Sequence, residues 1–492
     1  MNPNHQTKQV LFKKIQKEFI GLDTTYTLAT GKTSRRIYLD STATTLMMKI
    51  AFDVVSSFFH HYANTHSLLH FSAKISTCEY NWAHNRILSF VGADEKSYTC
   101  FFTGSGTTAG INRMARVFRD IRPEKKIAVV SIMEHHSNDL PHRKHMEKVI
   151  HVPVVKQNGK LGCVCLKTLE QILKENFGKI NYVALTGISN VTGIINPINK
   201  AAEIAHKYDA LLLVDGAQLA AHVPIRMVNP DNPAQNIDAL IFSGHKTYMP
   251  GSPGVVVARK DLLNQIEPEE VGGGMVEEVF VDHYIVKDTY PDREEAGTPN
   301  IPGAIGLATA IDVLDRIGMD FLQKEEEELI RLALEGMQKI PSITIYGEPN
   351  QDICKRIASI SFNINGLDHG LTAAVLNDYF NIAVRNECFC AHPYVKEMIM
   401  DDLLEMVEGV DMNDIEEVFH LKRGMVRASF ALYSTKEDVY ALIDTVNSIA
   451  NNTEFYQSMY HVNVDGNYEH NIFKFDHSGD FSVESCIAQL ID

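Results

Sequence analysis

No apolar stretch in this sequence approaches the ~20 residues that cross a bilayer. The opening MNPNHQTKQV has no apolar core of the kind a secretory signal carries. Neither membrane spanning nor export is therefore expected. Positive charge is in short supply: 46 Lys and Arg stand against 62 Asp and Glu, a formal net charge of −16. That balance disfavours nucleic acid and anionic lipid, so neither is expected as a partner. The eight cysteines form no disulfide framework, which suits a reducing compartment, and a cytoplasmic protein is expected. Also missing are a GxGxxG dinucleotide turn and a Gly-Lys-Ser/Thr phosphate loop. His135, His136, His142 and His145 crowd one stretch, but neither HExxH nor a supporting cysteine spacing accompanies them, so no metal site is expected.

What is present is a chain of 492 residues, long enough to bury a large core and hold two structural domains. Short apolar runs at 127–130, 182–186, 211–214, 239–242 and 255–258 read as buried strands with helical patterns such as 199–208 between them. Such alternation predicts an α/β fold with a mainly parallel sheet. The pattern divides into an N-terminal helical segment (1–36), a large domain (37–302), a smaller C-terminal α/β domain (303–450) and a tail (451–492) without clear periodicity. Residues 8–20 predict an amphipathic helix with Phe12, Ile15 and Phe19 on one face. A long helix is expected from about 303 to 338, interrupted near Gly318, and the acidic segment 401–418 reads as an exposed helix or insertion.

The informative stretch is Ile241-Phe242-Ser243-Gly244-His245-Lys246. Gly244, Gly251 and Gly254 put Lys246 on a loop just beyond a strand end, where parallel α/β sheets open their ligand crevice. Ser243 and His245 supply donors suited to an anion. Taken alone, a solvated lysine on a glycine turn is the simpler reading. Upstream, the run Leu211–Val214 ends in Asp215. A lysine able to form a Schiff base and a carboxylate able to hold a proton on a pyridine nitrogen together fit a pyridoxal phosphate site. The glycine-rich turn before Thr107 and Thr108 opens a helix whose N-terminus suits a phosphate. Asn190 follows the strand at 182–186 and faces the same crevice.

The series YLDSTAT, TGSGTTAGIN, MEHHSN, ISNVTG, VDGAQ, FSGHK, EAGTPN, IAVRNECFCA and VRASFALY runs in order across residues 38–433. It resembles the pyridoxal phosphate-dependent class V aminotransferase superfamily, fold type I, and within it the cysteine desulfurase/selenocysteine lyase branch. The resemblance implies that Lys246 carries the cofactor, Asp215 pairs with its pyridine nitrogen, Gln218 with its phenolic oxygen, and His135 stacks on its ring. It gives the phosphate to Thr107, Thr108, Ser243 and His245, with Thr298 reaching the partner's site in a homodimer. Asn190 then sits by ring and substrate, and Arg427 with Arg385 clamps a substrate carboxylate. Cys390 aligns with the catalytic cysteine, which takes sulfur from L-cysteine (or selenium from selenocysteine) and leaves alanine, with a sulfur-acceptor protein as a further partner. A small buried hydrophobe is the other reading of Cys390, and Cys388 is open between sulfur acceptance, protection and packing. Cys163 and Cys165 read as same-face packing residues of a strand. The chain departs from the branch at Ala109, Ser67 and Val271, and its segment between Cys390 and Arg427 is long. The alternative is another class V reaction (transamination, epimerisation, or a different C–S or C–N lysis) that does not use Cys390.

Overall fold

The apolar runs become strands of one seven-stranded sheet. In chain order these are β1 (Tyr98–Thr103), β2 (Ile127–Ser131), β3 (Lys148–Val152), β4 (Ile180–Thr186), β5 (Leu211–Asp215), β6 (Ala239–Ser243) and β7 (Gly254–Arg259), arranged β1-β7-β6-β5-β4-β2-β3. The structure, a computed structural model, describes residues 3–65, 67–157, 159–407 and 424–491. From β6 to β3 every pairing is parallel, while β7 runs antiparallel to both neighbours. The fold is thus α/β with a mainly parallel sheet, as the strand–helix alternation predicts. The register places Asp215 opposite Ile241 on one side and Thr186 on the other. Ser131, Thr186, Asp215 and Ser243 therefore finish at one edge of the sheet. Strands β2, β4, β5 and β6 are buried along their whole length, which is why these runs are continuous rather than alternating in hydrophobicity.

Helices cover both faces. Helix α1 (Gly106–Ile121) buries Ile111, Met114, Ala115 and Phe118, the positions whose spacing predicts its inner face. Helix α2 (Ile301–Ile317) ends at Gly318, whose φ of 96° suits glycine, and α3 (Met319–Met337) resumes beyond it. The N-terminal helix spans Pro3–Ile15, not 8–20. Phe12 and Ile15 are buried as expected, but Phe19 lies beyond the helix, bridged to Met48 and packed edge-on against Tyr248 and Tyr433. That pairing across the fold overrides the local helical pattern.

A second, antiparallel sheet of four strands has the order β8 (Ile343–Tyr346), β9 (Ser359–Ile364), β11 (Met425–Ser429), β10 (Arg385–Glu387). Its core joins Ile360, Phe362, Val426 and Ala428 to Ile330 and Leu334 of α3 and to Val439 and Leu442. The tail, which has no evident periodicity, folds onto this core. Tyr456 and Tyr460 are buried, Tyr460 donates to Asp378 at 2.9 Å, and Tyr379 meets His470 at 2.9 Å. The acidic segment expected at 401–418 lies outside the described residues from 408 onward; before it, helix α4 spans His392–Val407. No helix among the described residues is long and apolar enough to cross a membrane.

Candidate active site

The carboxyl edge of the large sheet opens into a cavity of about 510 Å³. Such a volume is that of a small-molecule site. Its lining brings together Lys246, Asp215, Gln218, His135, Asn190, Thr107, Thr108, Ser243, His245, Arg385, Cys390 and Arg427. These include every site residue expected from the sequence except Thr298. Thr298 is exposed, and its hydroxyl lies 3.4 Å from Asn64 Nδ2 rather than in its own chain's cavity.

One end of the cavity is built for an anion. Helix α1 points its N-terminus there, and Ser243 Oγ accepts from the Thr107 backbone N–H at 2.7 Å and meets Thr107 Oγ1 at 2.6 Å. Thr108 Oγ1 bonds Ser137 Oγ at 2.7 Å. Burial, and after it the positive charge of Lys246, brings the His245 pKa down to about 4, so its imidazole is neutral. The turn depends on Gly106. Its φ is 58°, and a Cβ there would stand 2.6 Å from Ser243 Oγ. Gly106→Val is expected to cost about 1–3 kcal/mol in stability from overpacking alone and to weaken phosphate-bearing ligands. Thermal unfolding with and without such a ligand checks both.

The floor carries the lysine. A 3₁₀ turn, Gly244–Lys246, directly follows β6. Burial pushes the Lys246 pKa below the usual lysine value, opposed by Asp215 and reinforced by Arg427. An amine so placed is neutral more readily and thus nucleophilic. Asp215, 3% exposed, accepts from the Ala217 N–H at 2.9 Å, and burial raises its carboxyl pKa. Gln218 donates one amide hydrogen to the Thr42 carbonyl at 2.8 Å. Its amide has a second hydrogen for a ligand. Above the floor, His135 Nδ1 accepts from the Ser137 backbone N–H at 3.1 Å. An accepting Nδ1 leaves the ring proton on Nε2. Burial and the charge of Lys246 lower the His135 pKa to about 3 and keep the ring neutral.

The opposite wall holds the cations and the thiol. Arg385 and Arg427 are register partners on β10 and β11. Arg427 is 2% exposed, donates to the Asn190 carbonyl at 2.6 Å and lies 3.4 Å from Asp40. Burial brings its pKa down to about 10, which leaves it charged at neutral pH. Cys390 is exposed to the cavity mouth on a backbone held in the left-handed region, as are Glu387 and Phe389. Each such non-glycine residue costs about 1–3 kcal/mol and persists only when neighbours fix it. Three ties do so: Asn190 Nδ2 donates to Phe389 O at 2.8 Å, the His136 N–H to Cys390 O at 2.7 Å, and the Arg427 guanidinium sits 4.7 Å above the Phe389 ring.

Sequence reasoning missed Thr42 and Asp40, both in YLDSTAT, where the motif gave the signal without the role. It also missed Glu134, inside MEHHSN. His70 does not line the cavity and instead caps a helix by accepting from the Ala73 N–H at 3.3 Å. His142 faces inward to Tyr182 and Asn138, away from the cavity. Cys163 and Cys165 do not pack as one strand face, because the strand ends at Val164. Cys163 hydrogen-bonds Cys354, whereas Cys165 precedes the next helix and accepts from Thr168.

The aminotransferase class-V family model matches residues 37–442. The chain belongs to this family. Its members are pyridoxal phosphate-dependent. Among curated relatives, a probable cysteine desulfurase of Halalkalibacterium halodurans is 34% identical over 412 residues, 82% of this chain and 91% of the relative. A cysteine desulfurase of Shigella flexneri is 31% identical over 410 residues, with the same shares. Among solved structures, the apo cysteine desulfurase of Thermococcus onnurineus superposes with a TM-score of 0.72 at 28% identity, covering 85% of this chain and 95% of that one. The cysteine desulfurase CsdA (S-sulfonic acid) of Escherichia coli gives 0.69 at 28% identity over 90% and 98%.

Proposed function

We propose that this family member is a cysteine desulfurase, which converts L-cysteine to alanine and leaves the sulfur as a persulfide on Cys390. The observation that carries the reading is a single cavity lined by Lys246, Asp215, two arginines and an exposed cysteine. Pyridoxal phosphate fits the donor set: a lysine whose ammonium form burial disfavours, a buried carboxyl for a pyridine nitrogen, and hydroxyls at a helix N-terminus for a phosphate. Thr107, Thr108, Ser243 and His245 would hold the phosphate, Asp215 the ring nitrogen, Gln218 the phenolic oxygen, and Lys246 the aldehyde carbon. When bound, the cofactor supplies a ring that accepts electrons from a bond at the substrate α-carbon.

The chain's own groups do the rest. Arg427 and Arg385 hold the substrate carboxylate by charge-assisted bonds, and Asn190 sets both Arg427 and the Cys390 loop through its two backbone ties. Lys246 Nζ, whose ammonium form burial disfavours, takes and returns the proton at the α-carbon. Neutral His135 would stack on the ring and presents its Nε2 hydrogen to the cavity. Cys390 Sγ attacks the substrate sulfur: an S–S bond forms, the Cβ–S bond breaks, and its electron pair with a proton completes alanine. Selenocysteine fits the same geometry, with selenium in place of sulfur. Exposed thiol chemistry of this kind belongs in a reducing cytosol and needs a sulfur-acceptor protein to clear Cys390.

A second copy of the chain is expected to complete the phosphate end. Thr298 lies near Asn64, and Leu69 and Phe71, a few residues along the chain from Asn64, are largely exposed. Apolar exposure on that scale marks an association surface. One turnover of L-cysteine tests the function. The expected result is equal amounts of alanine and protein-bound persulfide; a cofactor-loaded protein that makes no alanine turns the reading toward another class V reaction.

A further inference from the structure

Behind the cavity wall lies a carboxyl group that the proposed chemistry does not use. Glu134 directly precedes His135 and is 2% exposed. Among the described residues no Lys, Arg or His stands within ion-pair distance of it. Both its oxygens are engaged: Ser131 Oγ is 2.6 Å from Oε1, and Asn138 Nδ2 is 2.6 Å from Oε2. Ser131 ends β2 and Asn138 closes the turn, so the carboxyl ties together the two ends of the segment that carries His135. Behind it, Asn138 Oδ1 lies 3.1 Å from His142 Nε2, and His142 Nδ1 lies 2.9 Å from the Tyr182 hydroxyl. His142 is itself kept neutral by burial. From the sheet, the Thr186 backbone hydrogen-bonds Glu134, and Asp215 on β5 is the titratable group that faces it.

An ionised carboxylate here has no cation to offset its desolvation and stands near a second buried acid. Burial pushes the Glu134 pKa up to about 8, against the lowering pull of the Ser131, Asn138 and Thr186 hydrogen bonds and with a smaller push from Asp215. The neutral acid keeps both contacts once the Ser131 hydroxyl hydrogen turns away, with Oε1–H donating to Ser131 Oγ while Oε2 accepts from Asn138. We propose that Glu134 is a positioning residue, kept as a neutral carboxylic acid, that staples the 131–138 turn so that His135 is held over the ring and no second carboxylate charge stands beside Asp215. Its consequence for the cofactor rests on the reading above; the staple itself does not.

Glutamine mimics the neutral form, with Nε2 donating to Ser131 and Oε1 accepting from Asn138, but cannot ionise. The infrared difference spectrum of wild type minus Glu134→Gln is expected to show the carbonyl stretch of a protonated carboxylic acid at neutral pH, lost well above about 8. Equilibrium dialysis with pyridoxal phosphate is the second readout. The two proteins are expected to bind alike at neutral pH. As pH rises past the transition, wild type should fall behind Glu134→Gln by up to about tenfold per unit, the limit for one linked proton. Taking the ratio at each pH cancels the titrations the two proteins share. Glu134→Ala, which removes the staple, should bind several-fold more weakly at every pH. Absence of the acid band at neutral pH, or the same pH dependence in both proteins, overturns the proposal. If neither protein takes up pyridoxal phosphate at any pH, the cofactor reading fails and the infrared band alone decides the state of Glu134.

Discussion

Lys246→Ala is expected to give a folded protein that lacks the Schiff-base absorbance with pyridoxal phosphate and turns over L-cysteine at least about 10²-fold more slowly, the lower range for losing a general base. The amine is both the covalent anchor and the group that handles the α-proton, so no neighbour replaces it. His135 and His245 are neutral, and Arg427 remains a cation at neutral pH. Folding should survive, and the sign of the lysine shift says why. The unfolded chain holds the proton below the usual lysine value of 10.5, whereas the buried amine holds it less readily. Below that pH the group therefore costs the folded state stability, and its removal lifts the cost. The cofactor-free variant should melt no lower than cofactor-free wild type at neutral pH. A retained Schiff-base band would remove the central claim of the site.

Cys390→Ser separates the chemistry from the binding. The variant should keep the colour and bind L-cysteine with an affinity near that of wild type, because Lys246, Asp215 and both arginines are untouched. Alanine and persulfide should both fall to background, since a serine hydroxyl is a poor nucleophile toward a thiol sulfur. Single-turnover alanine release alongside a persulfide-specific label makes the measurement. Alanine formed as fast as in wild type would sink the thiol's role and favour a class V lysis that ignores Cys390.

How far the sequence foretold this site depends on what each residue is attached to. Asp215, Ser243 and Lys246 were legible because each ends or follows a strand buried on both faces, and such strands are written as unbroken apolar runs with a polar stop. Helix α1 was legible from its spacing and its glycine turn. Phe19 was not, because its partners Met48, Tyr248 and Tyr433 are distant in sequence and no local period encodes them. The tail was opaque for the same reason: its hairpin, Tyr460–Val462 with Tyr468–His470, rests on Asp378 and Tyr379 of another element. Glu134 was hidden by its type, since a carboxylate in a polar motif reads as surface until the fold buries it. Thr298 remains the reverse case, a residue singled out by its motif whose expected contact belongs to a second chain.

The reversed strand β7 has a bearing on how the protein assembles. Ser243 and Gly254 are register partners on adjacent strands, so the segment that bears Lys246 is a loop closed at its own base. Local closures of this kind are fast and cost little chain entropy. Thr107 reaches Ser243, and Gln218 reaches Thr42, only across long separations in sequence. The lysine loop is therefore expected to form early and the phosphate end to close late. A ligand that needs both ends can be captured only near the finish and then pulls the last step forward by mass action. Refolding followed by hydrogen exchange should show protection at 239–257 before 103–108, with added pyridoxal phosphate hastening only the second.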